Sequence, residues 1–189
     1  MIASADKFTH AGLVSRAVDW LRNGAAIPSN YSGPRVLKRE YKCHVTLAEA
    51  RSYISEIPDA IGWAFGGRVS VLVECKASRS DFLRDRKKYF RSRAKYGIGR
   101  FRYYLAPKGL IGFDEVPENW GLLELKNPGG RIVVTRAALR QEFDIQAELS
   151  VMWSAISAVR WDSVVALRRM RVGMFNEVLV PAHEPEEHY

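Results

Sequence analysis

The stretch VSVLVECKASRSDFLRDRKK, residues 69–88, constrains this chain more than any other. Its first half is a β-branched, apolar run that reads as a strand. Alternate side chains of a strand share a face, so Val71, Val73 and Cys75 point into a core while Leu72, Glu74 and Lys76 point the other way. Glu74 and Lys76 then project together, roughly 6 to 7 Å apart at their Cα atoms, where the chain turns abruptly basic. They read either as an exposed ion pair of small energetic worth or as part of a reactive site.

The flanking sequence supplies the scaffold. HAGLVSRAVDWLRNG carries Leu13, Val14, Ala17, Val18 and Leu21 at helical spacing, with Gly24 as a stop. In YKCHVTLAEA, Tyr41, Cys43, Val45 and Leu47 share one face of a half-buried strand. PDAIGWAFGGRVSVLVECK reads as a hairpin turning at Gly66-Gly67, a dipeptide suited to positive φ. From Ser80, a plausible N-cap, Phe82, Leu83, Tyr89 and Phe90 fall near helical spacing, which predicts a basic helix. RFRYYLAP returns as a strand, so the strand, helix, strand order implies a parallel neighbour. WGLLELKNPGGRIVV is a further hairpin turning at Asn127 to Gly130, and the segment from Arg140 to Arg171 supports one or two amphipathic helices covering the sheet. The expected fold is α/β, a mixed central sheet flanked by helices, with C-terminal helices beyond it.

Charge is placed unevenly. The chain has 29 Lys and Arg against 21 Asp and Glu; between Arg79 and Tyr103 there are ten bases and two acids, leaving nineteen of each sign elsewhere. The excess of +8 belongs to one segment, and such focusing argues for a polyanionic partner. Arg79, Arg84, Arg86, Lys87, Lys88 and Arg91 are the expected phosphate contacts, which position a duplex without reading its sequence. Tyr89, Tyr96, Tyr103 and Tyr104 read either as core residues or as rings that stack on the bases of a single strand. Met152, Trp153 and Trp161 belong to core or a dimer surface rather than to a cofactor pocket. The four histidines are scattered and receive no role. Cys43 and Cys75 in apolar runs read as buried, reduced thiols. No early run is long enough to cross a bilayer, so a cytoplasmic protein without membrane contact is expected.

Asp59, after Pro58, begins the partner strand of the first hairpin, and pairing across its turn would bring that carboxylate beside Glu74. Two carboxylates near a lysine suit a hard divalent cation, Mg²⁺ or Mn²⁺, which favours oxygen ligands and completes its shell with water and substrate phosphate. The backbone carbonyl of Cys75 is a further candidate ligand. For Lys76 three roles stay open: orienting a water, helping to deprotonate it, or stabilising charge on phosphate.

PDAIGW followed by ECK, fifteen residues from Asp59 to Glu74, resembles the PD-(D/E)XK phosphodiesterase superfamily. ECKASRSDFLRDRKK, RFRYYLAPKGLI and VPENWGLLEL resemble more closely its MmcB-like group of DNA-repair-associated or phage nuclease-like proteins, over roughly residues 8–135. The resemblance implies a restriction-endonuclease-like core, a divalent metal, and Asp59, Glu74 and Lys76 as the catalytic set. Many members add a glutamate from the first helix; here that helix offers Asp19, and Glu49 or Glu56 is the better third acid, with Glu49 preferred as metal ligand. Ser78, Asp81, Asp85 and Lys87 sit in the extension SRSDFLRDRK that characterises the group.

The expected organisation is a nuclease-like core over 1–135, a helical extension packed on it over 136–180, and a flexible tail over 181–189. The expected function is Mg²⁺-dependent hydrolysis of DNA. Its rivals are a nucleic-acid-binding accessory protein of the same fold with little or no chemistry, and a partner protein assembling as a homodimer through the C-terminal helices.

Overall fold

The computed structural model describes residues 8–23, 42–53 and 56–158. The chain divides into a compact unit reaching Ile156 and a second unit from Ser157 onward; the expected extension beyond 158 and the tail lie outside the described residues, as do Tyr41 and Trp161. The expected core boundary at 135 falls inside a strand, since the sixth strand runs to Arg136.

The sheet is mixed and holds six strands in sequence order: β1 (Val45–Ala48), β2 (Ala60–Ala64), β3 (Val69–Cys75), β4 (Phe101–Pro107), β5 (Gly121–Leu125) and β6 (Ile132–Arg136). β3, β4 and β5 run parallel, and antiparallel neighbours complete each side. The hairpin turns where the sequence predicts it, with Gly66 at φ 62° and Gly67 at φ 84°, a backbone region that costs glycine almost nothing. The resulting register sets Ala60 opposite Val73 and Ile61 opposite Leu72. Asp59 is thereby delivered to the strand end that carries Glu74.

Both sheet faces are covered, as a parallel centre requires. On one, Val71, Val73 and Cys75 pack with Leu13, Ala17 and Leu21 of α1 (His10–Asn23). On the other, Leu72 and Tyr104 pack with Phe82 of α2 (Arg79–Asp85) and Val151 of α4 (Ile145–Ser157). Glu74 and Lys76 therefore project beneath α2 rather than into solvent. Tyr103 and Tyr104 are core residues, which settles two of the four tyrosines. Cys43 and Cys75 are free and buried as expected. Cys43 precedes β1, however, and Val45 is exposed, so the alternation expected across this stretch is only partly realised. Met152 packs partly against the core whereas Trp153 is exposed.

The basic segment is broken rather than continuous. Its first helix is capped by Ser78, whose hydroxyl accepts from the Asp81 amide at 3.3 Å, instead of by Ser80. The chain leaves helical geometry before Lys88 and re-enters a single turn, α3 (Tyr89–Ser92), followed by the 3-10 turn Ala94–Tyr96. That break rotates Arg91 inward. No helix among the described residues is long and apolar enough to cross a membrane.

Candidate active site

Three elements deliver the site. The register of β2 and β3 brings Asp59 to Glu74, and the residue after β3 continues the ladder through the Lys76 amide, which donates to Leu105 O at 2.9 Å. Asp59 Oδ2 accepts from the Cys75 amide at 2.7 Å. Lys76 Nζ lies 3.1 Å from Glu74 Oε2 and 3.7 Å from Asp59 Oδ2. The expected catalytic trio is one cluster.

Around it stand groups to which the sequence assigned no place at the centre. Asp85, on the last turn of α2, comes within 3.5 Å of Lys76 Nζ. Its carboxylate also accepts from Arg91 Nε at 2.8 Å, Tyr104 Oη at 2.9 Å and Lys88 Nζ at 2.7 Å. Arg91 reaches Glu74 Oε2 at 2.9 Å and also pairs with Glu56. Its guanidinium thus ties α3, α2, β3 and the segment preceding β2 together, and it is almost wholly buried. Arg91 is accordingly withdrawn from the phosphate-contacting set. Glu56, weighed as a third acid, is occupied by Arg91 and the Ile98 amide.

The outer mouth is different. His10, first residue of α1, places Nε2 3.4 Å from Asp59 Oδ1 and 3.6 Å from Glu49 Oε1. Glu49 is largely exposed, His10 half-buried and Asp59 mostly buried, whereas Glu74 and Lys76 are sealed. The cluster is therefore reached past Asp59 and His10.

Electrostatics follow from crowding. Burial and the nearby Glu74 carboxylate raise Asp59 from 3.8 to about 6, against the opposing pull of Lys76, the Cys75 amide and His10. Burial also pushes Glu56 up, with Arg91 opposing. For Lys76, burial favours loss of the proton, but Glu74, Asp85 and Asp59 together outweigh it and hold the amine above its ordinary value. For Asp85, burial is outweighed by Arg91 and Lys76, which keep it well below the usual carboxylate range. Burial alone raises the Cys43 thiol to about 12, and burial with the adjacent carboxylates raises Cys75 as well. Both shifts favour the neutral thiol over the thiolate.

The donor set fits a hard cation at one point. Glu74 is 1% exposed, and its Oε1 has no hydrogen-bond partner among the described residues although Oε2 has two cations. A buried carboxylate oxygen left so is costly. Four carboxylates, Glu56, Asp59, Glu74 and Asp85, share two buried cations, Lys76 and Arg91, with half-exposed Lys88 at the rim. Added positive charge between Asp59 and Glu74 would relieve that imbalance. Among the described residues, however, no group of three or more His, Cys, Asp or Glu is arranged to hold a metal ion. Glu49 is thus not gathered with Asp59 and Glu74 into such a group and lies against His10 instead; Cys75, whose expected contribution is its backbone carbonyl, turns its side chain into the core as expected. The carboxylate pair remains.

The remaining phosphate-contact residues divide. Arg79 pairs with Glu115 and donates to Leu110 O, and Arg84 pairs with Asp81 at 3.0 Å. Arg86, Lys87 and Lys88 are exposed. Arg102 is buried and donates to backbone oxygens of Ala94, Gly97, Gly99 and Glu142. Part of the basic excess is thus structural cement, which counting charges along the sequence does not reveal.

No family model matches this chain, and no curated protein matches it. Its backbone is similar to a solved structure of a protein of unknown function from Silicibacter pomeroyi, at 20% sequence identity and a TM-score of 0.46, covering 70% of this chain and 85% of that one.

Proposed function

We propose that this protein is a metal-dependent nuclease acting on DNA. The observation that carries the reading is the meeting of Asp59, Glu74 and Lys76 at the end of β3, with one buried Glu74 oxygen that has no hydrogen-bond partner among the described residues. Asp59 and Glu74 would hold Mg²⁺ or Mn²⁺. When bound, such an ion neutralises charge on the attacked phosphodiester and lowers the pKa of a coordinated water.

The chain's own groups supply the rest. Three carboxylates hold the Lys76 amine above its ordinary value, and in its protonated form it would act on charge accumulating at phosphate. Arg91 and Asp85 fix the rotamers of Glu74 and Lys76 through direct ion pairs. Asp59, at the solvent edge, meets the incoming backbone first. Arg86, Lys87 and Lys88 are exposed on the α2–α3 connection, where Lys88 reaches Asp85, and would track phosphates.

A second reading has its own support. Lys76 and Arg91 already satisfy much of the buried acid, a closed network that a binding protein without chemistry could retain. Incubation of plasmid and linear DNA with Mg²⁺ or Mn²⁺ separates the two. Cleavage that EDTA stops, and that Glu74→Gln and Lys76→Ala each abolish, supports the nuclease. Salt-sensitive binding without cleavage supports the accessory protein.

A further inference from the structure

The single turn α3 faces two ways. Arg91 points inward to Glu74, while Tyr89 is 52% exposed on the outside. Tyr96, 44% exposed, lies beside it with ring centroids 5.4 Å apart and ring planes 37° from one another. Arg93 Cζ sits 4.5 Å from the Tyr89 centroid while its Nη1 donates to the Tyr89 hydroxyl at 2.6 Å, and Lys95 Nζ sits 4.9 Å from the Tyr96 centroid. Two large rings are held at the surface by cations instead of being buried. Cationic pairing accounts for their orientation but not for leaving so much ring area in water.

The surroundings continue the pattern. Lys88, adjacent to Tyr89, contacts Asp85, which contacts Lys76, so the rings begin one residue from the rim of the site. In the other direction Lys95 lines an open cleft of about 730 Å³ with Arg100, Arg140 and Phe143. There the Arg100 guanidinium lies 4.5 Å from the Phe143 centroid. Cations and aromatic rings thus recur from Tyr89 to this cleft, with Tyr89 and Tyr96 exposed, Phe143 partly buried, and Glu142 the one acid among the cleft residues. A rigid duplex presents phosphates but hides its base faces, so rings are wasted on it; an unpaired strand presents both.

We propose that Tyr89 and Tyr96, flanked by Arg93 and Lys95, form a stacking platform for unpaired bases, so that the substrate of the nuclease site is single-stranded DNA. The inference rests on the proposed nuclease for the word substrate, but binding at the platform needs neither metal nor cleavage. α3 links the two, because Arg91 fixes to Glu74 the same turn that displays Tyr89. A strand seated on the rings would pass Lys88 before reaching Asp59.

The test is fluorescence anisotropy with the full-length protein in EDTA, using a labelled 15-nucleotide single strand, a blunt duplex of that length and an abasic strand of equal charge. The expected result is a preference of about tenfold or more for the single strand over both others. Tyr89→Ala with Tyr96→Ala should weaken single-strand binding about tenfold or more while duplex binding stays unchanged, and the Phe replacements at both positions should restore it. Unchanged thermal unfolding of the double variant confirms that the loss belongs to the surface. Equal binding of the three probes, no binding of any, or an alanine double variant that binds single strand like the parent would overturn the platform. Platform-dependent binding without metal-dependent cleavage leaves this inference standing and removes the nuclease instead.

Discussion

Two buried glutamates lie at opposite ends of β3, and they are used differently. Glu148, on α4, is 4% exposed, and each of its oxygens is taken: Oε2 accepts from Trp63 Nε1 at 3.0 Å, and Oε1 from Ser70 Oγ and the Gly99 amide at 2.7 Å each. These donors are neutral and fixed, so the carboxylate pins helix to sheet. Glu74, about 13 Å along the same strand from Ser70 by strand rise, has two full cations on one oxygen and no hydrogen-bond partner among the described residues on the other. Burial therefore does not distinguish an acid consumed by the fold from one with capacity left over. Unused bonding capacity does, because a satisfied group has nothing left to offer a ligand.

The largest effect expected from this contrast is on chemistry. Glu74→Gln should lower metal-dependent DNA cleavage at least about 100-fold, whereas Glu148→Gln should leave it within about tenfold, measured on protein shown to be folded. Comparable losses from both would erase the distinction. Stability should follow the reverse order. Glu148→Gln sets an amide N–H₂ among three buried donors and should cost about 1–3 kcal/mol in denaturant unfolding, while Glu74→Gln, which leaves Lys76 and Arg91 with other carboxylates, should cost less than half as much.

Asp59 sharpens the point further. Its folded-state pKa of about 6 lies above the ordinary 3.8, so the folded protein binds its proton more tightly than the unfolded chain does. The resulting destabilisation is absent below about pH 4, grows as pH rises toward 6 and is complete above it. Metal-free Asp59→Asn should accordingly be more stable than the parent in denaturant unfolding at pH 8, by about 1–2 kcal/mol once solvent screening is allowed for, with the gap closing at pH 4. A variant less stable at pH 8 would show that the carboxylate is there for the fold. The smallest effect belongs to Ser78→Ala, which removes the cap of the helix that carries Asp85 to Lys76. Roughly 0.5–1 kcal/mol should be lost, with the Glu148 end unaffected in amide exchange at Gly99.

The portion of the site legible in sequence was the portion set by local geometry. Strand alternation placed Glu74 with Lys76, the Gly66-Gly67 turn placed Asp59 against them, and neither required knowledge of the rest of the chain. The surrounding shell depends on tertiary context. Arg91 looked like one more surface base until the break before Lys88 turned it inward, and Asp85 looked like a helix-face acid although α2 lies with that face on the site. His10 sits at a helix start nearly fifty positions from Asp59, and only the packing of α1 against β1 and β2 brings them together. Glu148 gave no signal: an acid on an apolar helix face is readable as structural only when its three donors are known. The helix was expected to start at Ser80, but Ser78 captures the Asp81 amide first, a choice between two hydroxyls that propensity does not rank.

Titration of the metal-free protein with Mn²⁺ by calorimetry tests the central claim most directly, since it reads the spare capacity of Glu74 without any assumption about substrate. The expected result is one ion per chain, with affinity reduced at least about tenfold by Glu74→Gln and unchanged by Glu148→Gln. No ion bound, or equal affinity in the parent and Glu74→Gln proteins, would contradict it.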